Sequence, residues 1–152
     1  MIALASDHAG LELKAAVKEY LAAKGLPYQD FGTYTSDSCN YAEYALKAAN
    51  AVSSGECEKG ILICGTGIGI GIAANKVKGI RCVSCSEPYS ARLSRQHNDS
   101  NMLSLGARVV GQGLALTIIE EWLLADFEGG RHATRISQIT QIEESGQLTI
   151  NG

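Results

Sequence analysis

Five short apolar runs, each followed by a turn and then by a segment of helical spacing, are the feature that most constrains the fold of this chain. The turns contain Gly, Asp or Ser, and the segments after them carry apolar residues three or four positions apart. This alternation is typical of parallel strands connected by covering helices. It predicts an α/β fold, with strands at Met1–Ala5, Leu26–Phe31, Gly60–Cys64, Ile80–Ser84 and Met102–Leu105.

A chain of 152 residues with 45% hydrophobic composition is long enough to bury the core of one domain, so residues 1–152 are expected to form a single domain. The second helix should carry Tyr41, Ala45, Ala48, Ala49 and Val52 inward, and helical spacing resumes at 72–76, 87 onward and 111–125. In residues 130–146 residues recur at helical spacing on one side, but the apolar ones are too few for a helix that is buried on all sides. We expect this arm to pack on the body or on a second subunit.

The net charge and the hydropathy of the chain predict a cytoplasmic protein that binds a small molecule. The net charge is −3 without a run of Lys or Arg, which argues against a nucleic-acid or membrane-surface binder. No signal peptide or membrane-spanning stretch is predicted. The five cysteines include one C-x-x-C match, Cys82 to Cys85, which has no second pair to complete a zinc site, so reduced and mostly buried thiols are expected.

Two turns after predicted strands carry candidate chemistry, because open parallel sheets bind ligands at the carboxyl ends of their strands. Asp7 and His8 follow the first strand, although Asp7 could equally be an ordinary helix N-cap. Cys64 ends the third strand and enters the glycine-rich segment 65–71, whose N–H groups could bind an anion or oxyanion. A thiol in that position is a usable base, and a buried strand cysteine is the alternative interpretation.

Polar and basic residues farther along the chain add to the candidates. The segment Arg95–Asn101 is dense in hydrogen-bonding groups just before an apolar strand, which predicts that His97 and Asn98 lie near the end of the sheet rather than on a solvated helix face. Arg108, Arg131 and Arg135 supply cations suited to phosphate, and the last two would share one face of a helix. A solvated surface is the alternative for each of these groups.

Together these residues resemble one family, the type B ribose-5-phosphate isomerases and the related galactose-6-phosphate isomerase subunits. The resemblance spans essentially the whole chain. It is carried by the segments 6–10 (SDHAG), 60–69 (GILICGTGIG), 85–91 (CSEPYSA), 95–99 (RQHND), 106–111 (GARVVG) and 128–132 (EGGRH).

The resemblance implies a Rossmann-like α/β/α sandwich with a five-stranded parallel sheet. It also implies a homodimer, or a tetramer, with active sites at the subunit interface. Cys64 would be the base that moves the proton, since the stretch where some members use a glutamate instead reads Ile72-Ala73-Ala74 here. His97 would open the sugar ring with help from Thr66, and the backbone from Gly65 through Gly67 and Ile68 to Gly69 would hold a cis-enediolate. The remaining substrate contacts would fall on Asp7 and Asn98 for sugar oxygens and on His8, Arg108, Arg131 and Arg135 for phosphate.

The implied activity is the interconversion of ribose 5-phosphate and ribulose 5-phosphate in the non-oxidative pentose phosphate pathway. That reaction needs neither metal nor cofactor, so none is expected. Two alternatives remain open. Galactose 6-phosphate or allose 6-phosphate could be the substrate, with free psicose or allose as further ones. A flavodoxin-like binding module without catalysis would share the same strand and helix pattern.

Overall fold

The computed structural model describes residues 1–150, which form a parallel sheet and its covering helices. The strands are β1 (Ile2–Ser6), β2 (Tyr28–Asp30), β3 (Lys59–Cys64), β4 (Cys82–Ser84) and β5 (Met102–Gly106). The helices are α1 (Leu11–Ala23), α2 (Tyr41–Ser53), α3 (Ile68–Ala74), α4 (Pro88–Asn98), α5 (Gln112–Leu124) and α6 (Arg131–Ser145), and a short 3-10 turn at His8–Gly10 precedes α1.

All five strands run parallel in the order β2-β1-β3-β5-β4, which confirms the predicted α/β fold. Residues alternate between the two faces of the sheet. Ile61 and Ile63 of β3 point toward the layer formed by α1, α4 and α5, whereas Leu62 and Cys64 point toward α2 and α3. The strand order reverses direction between β1 and β3, which is where sheets of this kind bind ligands.

Several boundaries differ from those predicted. The strands β2 and β4 have three residues each, because an edge strand pairs on one side only and its ends are not held in the ladder. Helix α3 begins at Ile68 instead of near Ile72, so part of the glycine-rich segment is helical. Tyr41 was predicted to face the core, but it opens α2 and is 44% exposed.

The arm at residues 130–146 contains one helix, α6, which packs on the body of the chain. Helix α6 packs against α4, and the carboxylate of Glu143 accepts the N–H of Gly79.

All five cysteines are free, and Cys39 alone is not buried, as expected for reduced thiols. Within residues 1–150, no helix combines the length and apolar character needed to cross a bilayer.

Candidate active site

Asp7 and Cys64 lie side by side at the carboxyl edge of the sheet, at the reversal of strand order. Asp7 directly follows β1 and Cys64 ends β3, and the Asp7 N–H donates to the carbonyl of Ile63 at 3.1 Å. Asp7 also caps the following turn, because its carboxylate accepts the N–H of Gly10. Both side chains are buried, with 6% and 4% exposure, so a ligand here would meet them largely shielded from water.

The Cys64 sulfur is held by the turn that follows it. The N–H of Gly67 points back to the Cys64 Sγ at 3.2 Å. This turn requires glycine, because Gly67 has φ +79° and a Cβ there would lie 2.7 Å from the Leu105 carbonyl carbon. A hydrogen bond donated to sulfur stabilises negative charge on it, which is what a thiol needs to act as a base.

The first turn of α3 lies next to this sulfur. The N–H of Ile68 donates to Thr66 Oγ1 at 3.2 Å, and the side chains of Thr66 and Ile68 are exposed. Gly69 follows within the helix, where the first N–H groups have no carbonyl partner in their own helix. A Cβ at Gly69 would come within 2.9 Å of the Tyr41 hydroxyl, so the phenol borders the same turn.

His8 and Arg108 add polar groups at this edge. The Nδ1 atom of His8 accepts the N–H of Cys39 at 3.3 Å, which places the ring proton on Nε2 and leaves Nε2–H free to donate. Arg108 follows β5, its N–H donates to the Gly65 carbonyl at 3.0 Å, and its Nη1 would lie 3.3 Å from a Cβ at Gly65. We call Asp7, His8, Cys64, Gly65–Gly69 and Arg108 the carboxyl-edge group.

His97 and Asn98 do not belong to that group. They form the last turn of α4, which leaves the carboxyl edge at Pro88 and returns to the amino edge before β5 begins. The carbonyl of Asn98 accepts from Arg81, the residue just before β4. Since Cys64 pairs with Gly106 and not with Met102, the amino edge lies about 13 Å farther along the strands. His97 and Asn98 therefore lie near the end of the sheet, as predicted, but at its amino edge. The prediction that they do not lie on a helix is wrong, because α4 extends through Asn98.

His97 is joined at the amino edge by α6. The ring of His132 stacks on that of His97 with centroids 4.2 Å apart and planes 8° apart. His132 is buried, and its Nε2 lies 3.6 Å from the Glu128 carboxylate. Arg131 and Arg135 are exposed on the first turns of the same helix, as predicted from their spacing. We call His97, Asn98, Arg131, His132 and Arg135 the amino-edge group.

Burial also affects the protonation of His132. Loss of hydration lowers the pKa of its imidazole, the neighbouring His97, Arg131 and Arg135 lower it further, and Glu128 opposes them. The neutral ring is therefore favoured, which suits stacking on a second imidazole.

The same three side chains have ligand atoms of metal-binding type. Atoms of His97, Glu128 and His132 lie within 4.8 Å of one another. The two imidazole planes are nearly parallel, however, so their in-plane lone pairs run side by side and do not converge on one ion. This geometry suits ring stacking better than metal coordination.

Sequence reasoning missed three residues that border the candidate groups. Tyr41 was assigned to the core, Cys39 was not singled out, and His132 was considered only as part of the arm. A signal was present for His132, which lies between two arginines at helical spacing. The contacts of Cys39 and Tyr41 depend on how the long connection after β2 folds, and its polar composition does not fix that path.

Comparison with known proteins places the chain in one group. Residues 2–139 match the family described as Ribose/Galactose Isomerase. Ribose-5-phosphate isomerase B of Escherichia coli is 54% identical over 143 residues, covering 94% of this chain and 96% of the relative. The solved structure of ribose-5-phosphate isomerase B from Clostridium thermocellum superposes with a TM-score of 0.94 at 53% identity, over 96% of this chain and 99% of that one.

A further solved structure contains a sugar phosphate. Ribose-5-phosphate isomerase B from Mycoplasma genitalium, with bound ribulose-5-phosphate, superposes with a TM-score of 0.91 at 40% identity, over 95% of this chain and 96% of that one.

Proposed function

This chain belongs to the ribose/galactose isomerase family, and we propose from that membership that it interconverts ribose 5-phosphate and ribulose 5-phosphate. The observation that carries the site assignment is the Cys64 sulfur, which accepts the Gly67 N–H beside Asp7 at the reversal of strand order. A base and a set of oxyanion donors are adjacent there, as proton transfer next to a carbonyl requires.

In the proposed reaction, the Cys64 thiolate removes the proton from carbon 2 of the open-chain aldose. The C–H electron pair forms the C1–C2 double bond, and the carbonyl electrons move onto oxygen 1 to give a cis-enediolate. The thiol then returns the proton to carbon 1 while the oxygen 2 hydroxyl gives its proton up to oxygen 1. Carbon 2 becomes the ketone and the thiolate is regenerated, so no atom or electron is gained or lost.

Backbone N–H groups from Gly65 to Gly69 would stabilise the negative oxygen of the enediolate. By analogy with acyl-transfer enzymes, one such donor contributes on the order of 10²–10³ in rate. Asp7, which is buried at the same edge, would bind a sugar hydroxyl. Thr66 has an exposed hydroxyl next to the turn and would assist ring opening.

Ring opening in this proposal requires a second copy of the chain. His97 and Asn98 lie about 13 Å along the strands from the level of Cys64 in their own chain, too far to share its substrate. In a two-fold dimer, the amino-edge group of one copy can face the carboxyl-edge group of the other, which gives two equal sites. The arm containing α6 would then contact the partner subunit.

Phosphate binding would combine both groups. His8 and Arg108 would come from the chain that supplies Cys64, and Arg131 and Arg135 would come from the chain that supplies His97. Arg131 and Arg135 follow that assignment because the residue between them, His132, stacks on His97. The proposed compartment is the cytoplasm, where a catalytic thiol remains reduced.

The test is a side-by-side assay of five- and six-carbon aldose phosphates and their unphosphorylated counterparts. We expect the highest kcat/KM for ribose 5-phosphate. Arg131→Ala should lower kcat/KM for the phosphorylated sugar about 10- to 100-fold, which is the loss of a hydrogen bond to a charged group, and change it little for free sugars. Arg92→Ala is the matched control, since Arg92 pairs with Glu121 on the surface.

A higher kcat/KM for a six-carbon phosphate would reassign the substrate to the galactose 6-phosphate or allose 6-phosphate type. An equal loss on phosphorylated and free sugars would remove Arg131 from the phosphate site.

A further inference from the structure

Two serine hydroxyls lie directly behind the glycine turn that follows Cys64, in strands that are otherwise apolar. Ser84 of β4 and Ser104 of β5 are paired in the sheet, and their Oγ atoms are 2.6 Å apart. Ser104 is fully buried among Met102, Leu103 and Leu105. A buried hydroxyl is costly unless it is hydrogen-bonded, so its partners are informative.

The hydrogen bonds run in one direction toward the turn. Ser84 donates its proton to the carbonyl oxygen of Gly67 at 3.0 Å. Each hydroxyl has one proton, so in the contact between the two serines Ser104 donates and Ser84 accepts. This series of hydrogen bonds therefore ends at the Gly67 carbonyl, and both serine hydroxyls donate their protons within it.

The Gly67 carbonyl belongs to the peptide that connects Gly67 to Ile68. A peptide unit is planar, so fixing its carbonyl toward the sheet fixes the Ile68 N–H on the opposite side. There this N–H lies at the exposed turn, where it donates to Thr66 Oγ1 at 3.2 Å in the absence of substrate. The same Gly67 carbonyl accepts the Gly71 N–H at 3.3 Å in the first turn of α3, so the Ser84 hydroxyl is a second and shorter anchor. Gly67 has φ +79° and lacks a Cβ, so its own side chain does nothing to resist rotation of this peptide. A rotated peptide would present its carbonyl oxygen to the negative oxygen of the enediolate.

We propose that Ser84 and Ser104 act as a hydroxyl tether that positions the Gly67–Ile68 peptide for stabilising the enediolate. The inference rests on the proposed function, since it assigns a role in the same reaction. Ser84 and Ser104 are positioning residues, because they act on the substrate through the backbone of the turn.

Gly71 gives independent support for the tether. A Cβ at this buried helix position would lie 2.7 Å from the Ser104 Oγ and 2.9 Å from the Ser84 Oγ. The absence of a side chain at Gly71 therefore leaves the space that the two hydroxyls occupy.

The first experiment compares Ser84→Ala, Ser84→Thr and Ser86→Ala with the wild type on ribose 5-phosphate. Ser84 and Ser86 line one cavity at the carboxyl edge, which Ile68 also borders, so Ser86→Ala is the matched control. Ser84→Ala should lower kcat about 5- to 10-fold, the loss of one neutral hydrogen bond, with KM within about twofold. Ser84→Thr keeps the hydroxyl and should restore kcat.

Two inhibitors distinguish positioning from general disruption. A phosphorylated four-carbon hydroxamate, which imitates the planar enediolate, should bind Ser84→Ala more weakly by a factor similar to the loss in kcat. Inorganic phosphate should inhibit the variant and the wild type equally. Unchanged kcat in Ser84→Ala, or equal weakening of both inhibitors, would overturn the tether.

A double-variant comparison tests the geometry. Gly71→Ala should lower kcat in the wild type and change it less than about twofold in Ser84→Ala/Ser104→Ala, where the displaced hydroxyls are absent. The same fold-loss in both backgrounds would contradict the proposal. If instead the wild type and Ser86→Ala both fail to convert ribose 5-phosphate, the proposed function fails, which is distinct from an active wild type that tolerates Ser84→Ala.

Discussion

His97 is the residue whose proposed role can be separated from enolisation by choice of substrate. Ribose 5-phosphate is mostly a closed ring, whereas ribulose 5-phosphate stays open because its oxygen 5 carries the phosphate. His97→Asn should lower conversion of ribose 5-phosphate by about 10²–10⁴-fold, the range for a lost acid-base group. Exchange of the carbon 1 hydrogen of ribulose 5-phosphate with D2O should remain within about tenfold of wild type.

The control is Gln96→Ala, a change at the neighbouring position of α4. Equal losses of conversion and of hydrogen exchange in His97→Asn would mean that His97 does something other than open rings.

Individual site residues differ in how far sequence alone could identify them. The place of Cys64 at the end of an apolar run, ahead of the glycines, predicts a thiol at the carboxyl edge, and the structure confirms that position. The roles of Arg108, Arg131 and Arg135 followed only from resemblance, because spacing does not distinguish a phosphate ligand from a solvated cation. Ser84 and Ser104 gave no signal, because short polar residues occur in many strands and their pairing depends on sheet order.

The contact between α4 and α6 should weaken in acid. Burial together with His97 and Arg131 lowers the pKa of His132 below its ordinary value of 6.5 in the folded protein, so the unfolded chain binds more protons in the window below pH 6.5. The free energy of unfolding should therefore fall as pH drops through that window. Urea unfolding at pH 7.5 and pH 5.5 measures the change.

His132→Gln should show a smaller loss of stability between those two pH values, because the titrating group is removed. Glu128 and Arg135 remain in that variant, so their contribution is common to both proteins. The same loss in wild type and His132→Gln would contradict a role for this ring.

The sequence predicts which segments form helices and strands better than it predicts the residues at which they begin and end. The start of α4 was predicted from Glu87 and Pro88, and the structure shows Glu87 capping the helix with Pro88 in its first turn. The start of α3 was placed too late, because glycines at 69 and 71 read as loop although Gly67 makes the turn. The end of α4 at Asn98 was not predicted, because the polar side chains of its last turn hide the helical period.

His97 and Cys64 lie at opposite edges of the sheet, and this separation is a property of the whole α/β architecture. A helix that follows a parallel strand runs back to the amino edge, so groups at its carboxyl end can reach a ligand at the carboxyl edge only from another molecule. The sequence shows that both groups are present, but it does not show how far apart they lie in the folded chain. That separation became visible once the sheet order was known.

A mixture of two inactive variants tests this shared site. In a dimer of Cys64→Ala with His97→Asn, one site has both changes and the other has neither. Random pairing of equal amounts makes half of the dimers mixed, so activity on ribose 5-phosphate should recover to about a quarter of wild type. A mixture no more active than its parents, with mixed dimers present by mass spectrometry, would contradict the shared site.

The most direct test of Cys64 as the base is the exchange of the carbon 1 hydrogen of ribulose 5-phosphate with D2O, followed by NMR, since it needs no ring opening. Cys85→Ala is the control, because Cys85 is another buried free thiol at the carboxyl edge of the sheet. Cys64→Ala should keep its unfolding midpoint near that of wild type and show no enzyme-dependent exchange, while Cys85→Ala exchanges readily. Exchange by Cys64→Ala at a rate near that of wild type would contradict the assignment.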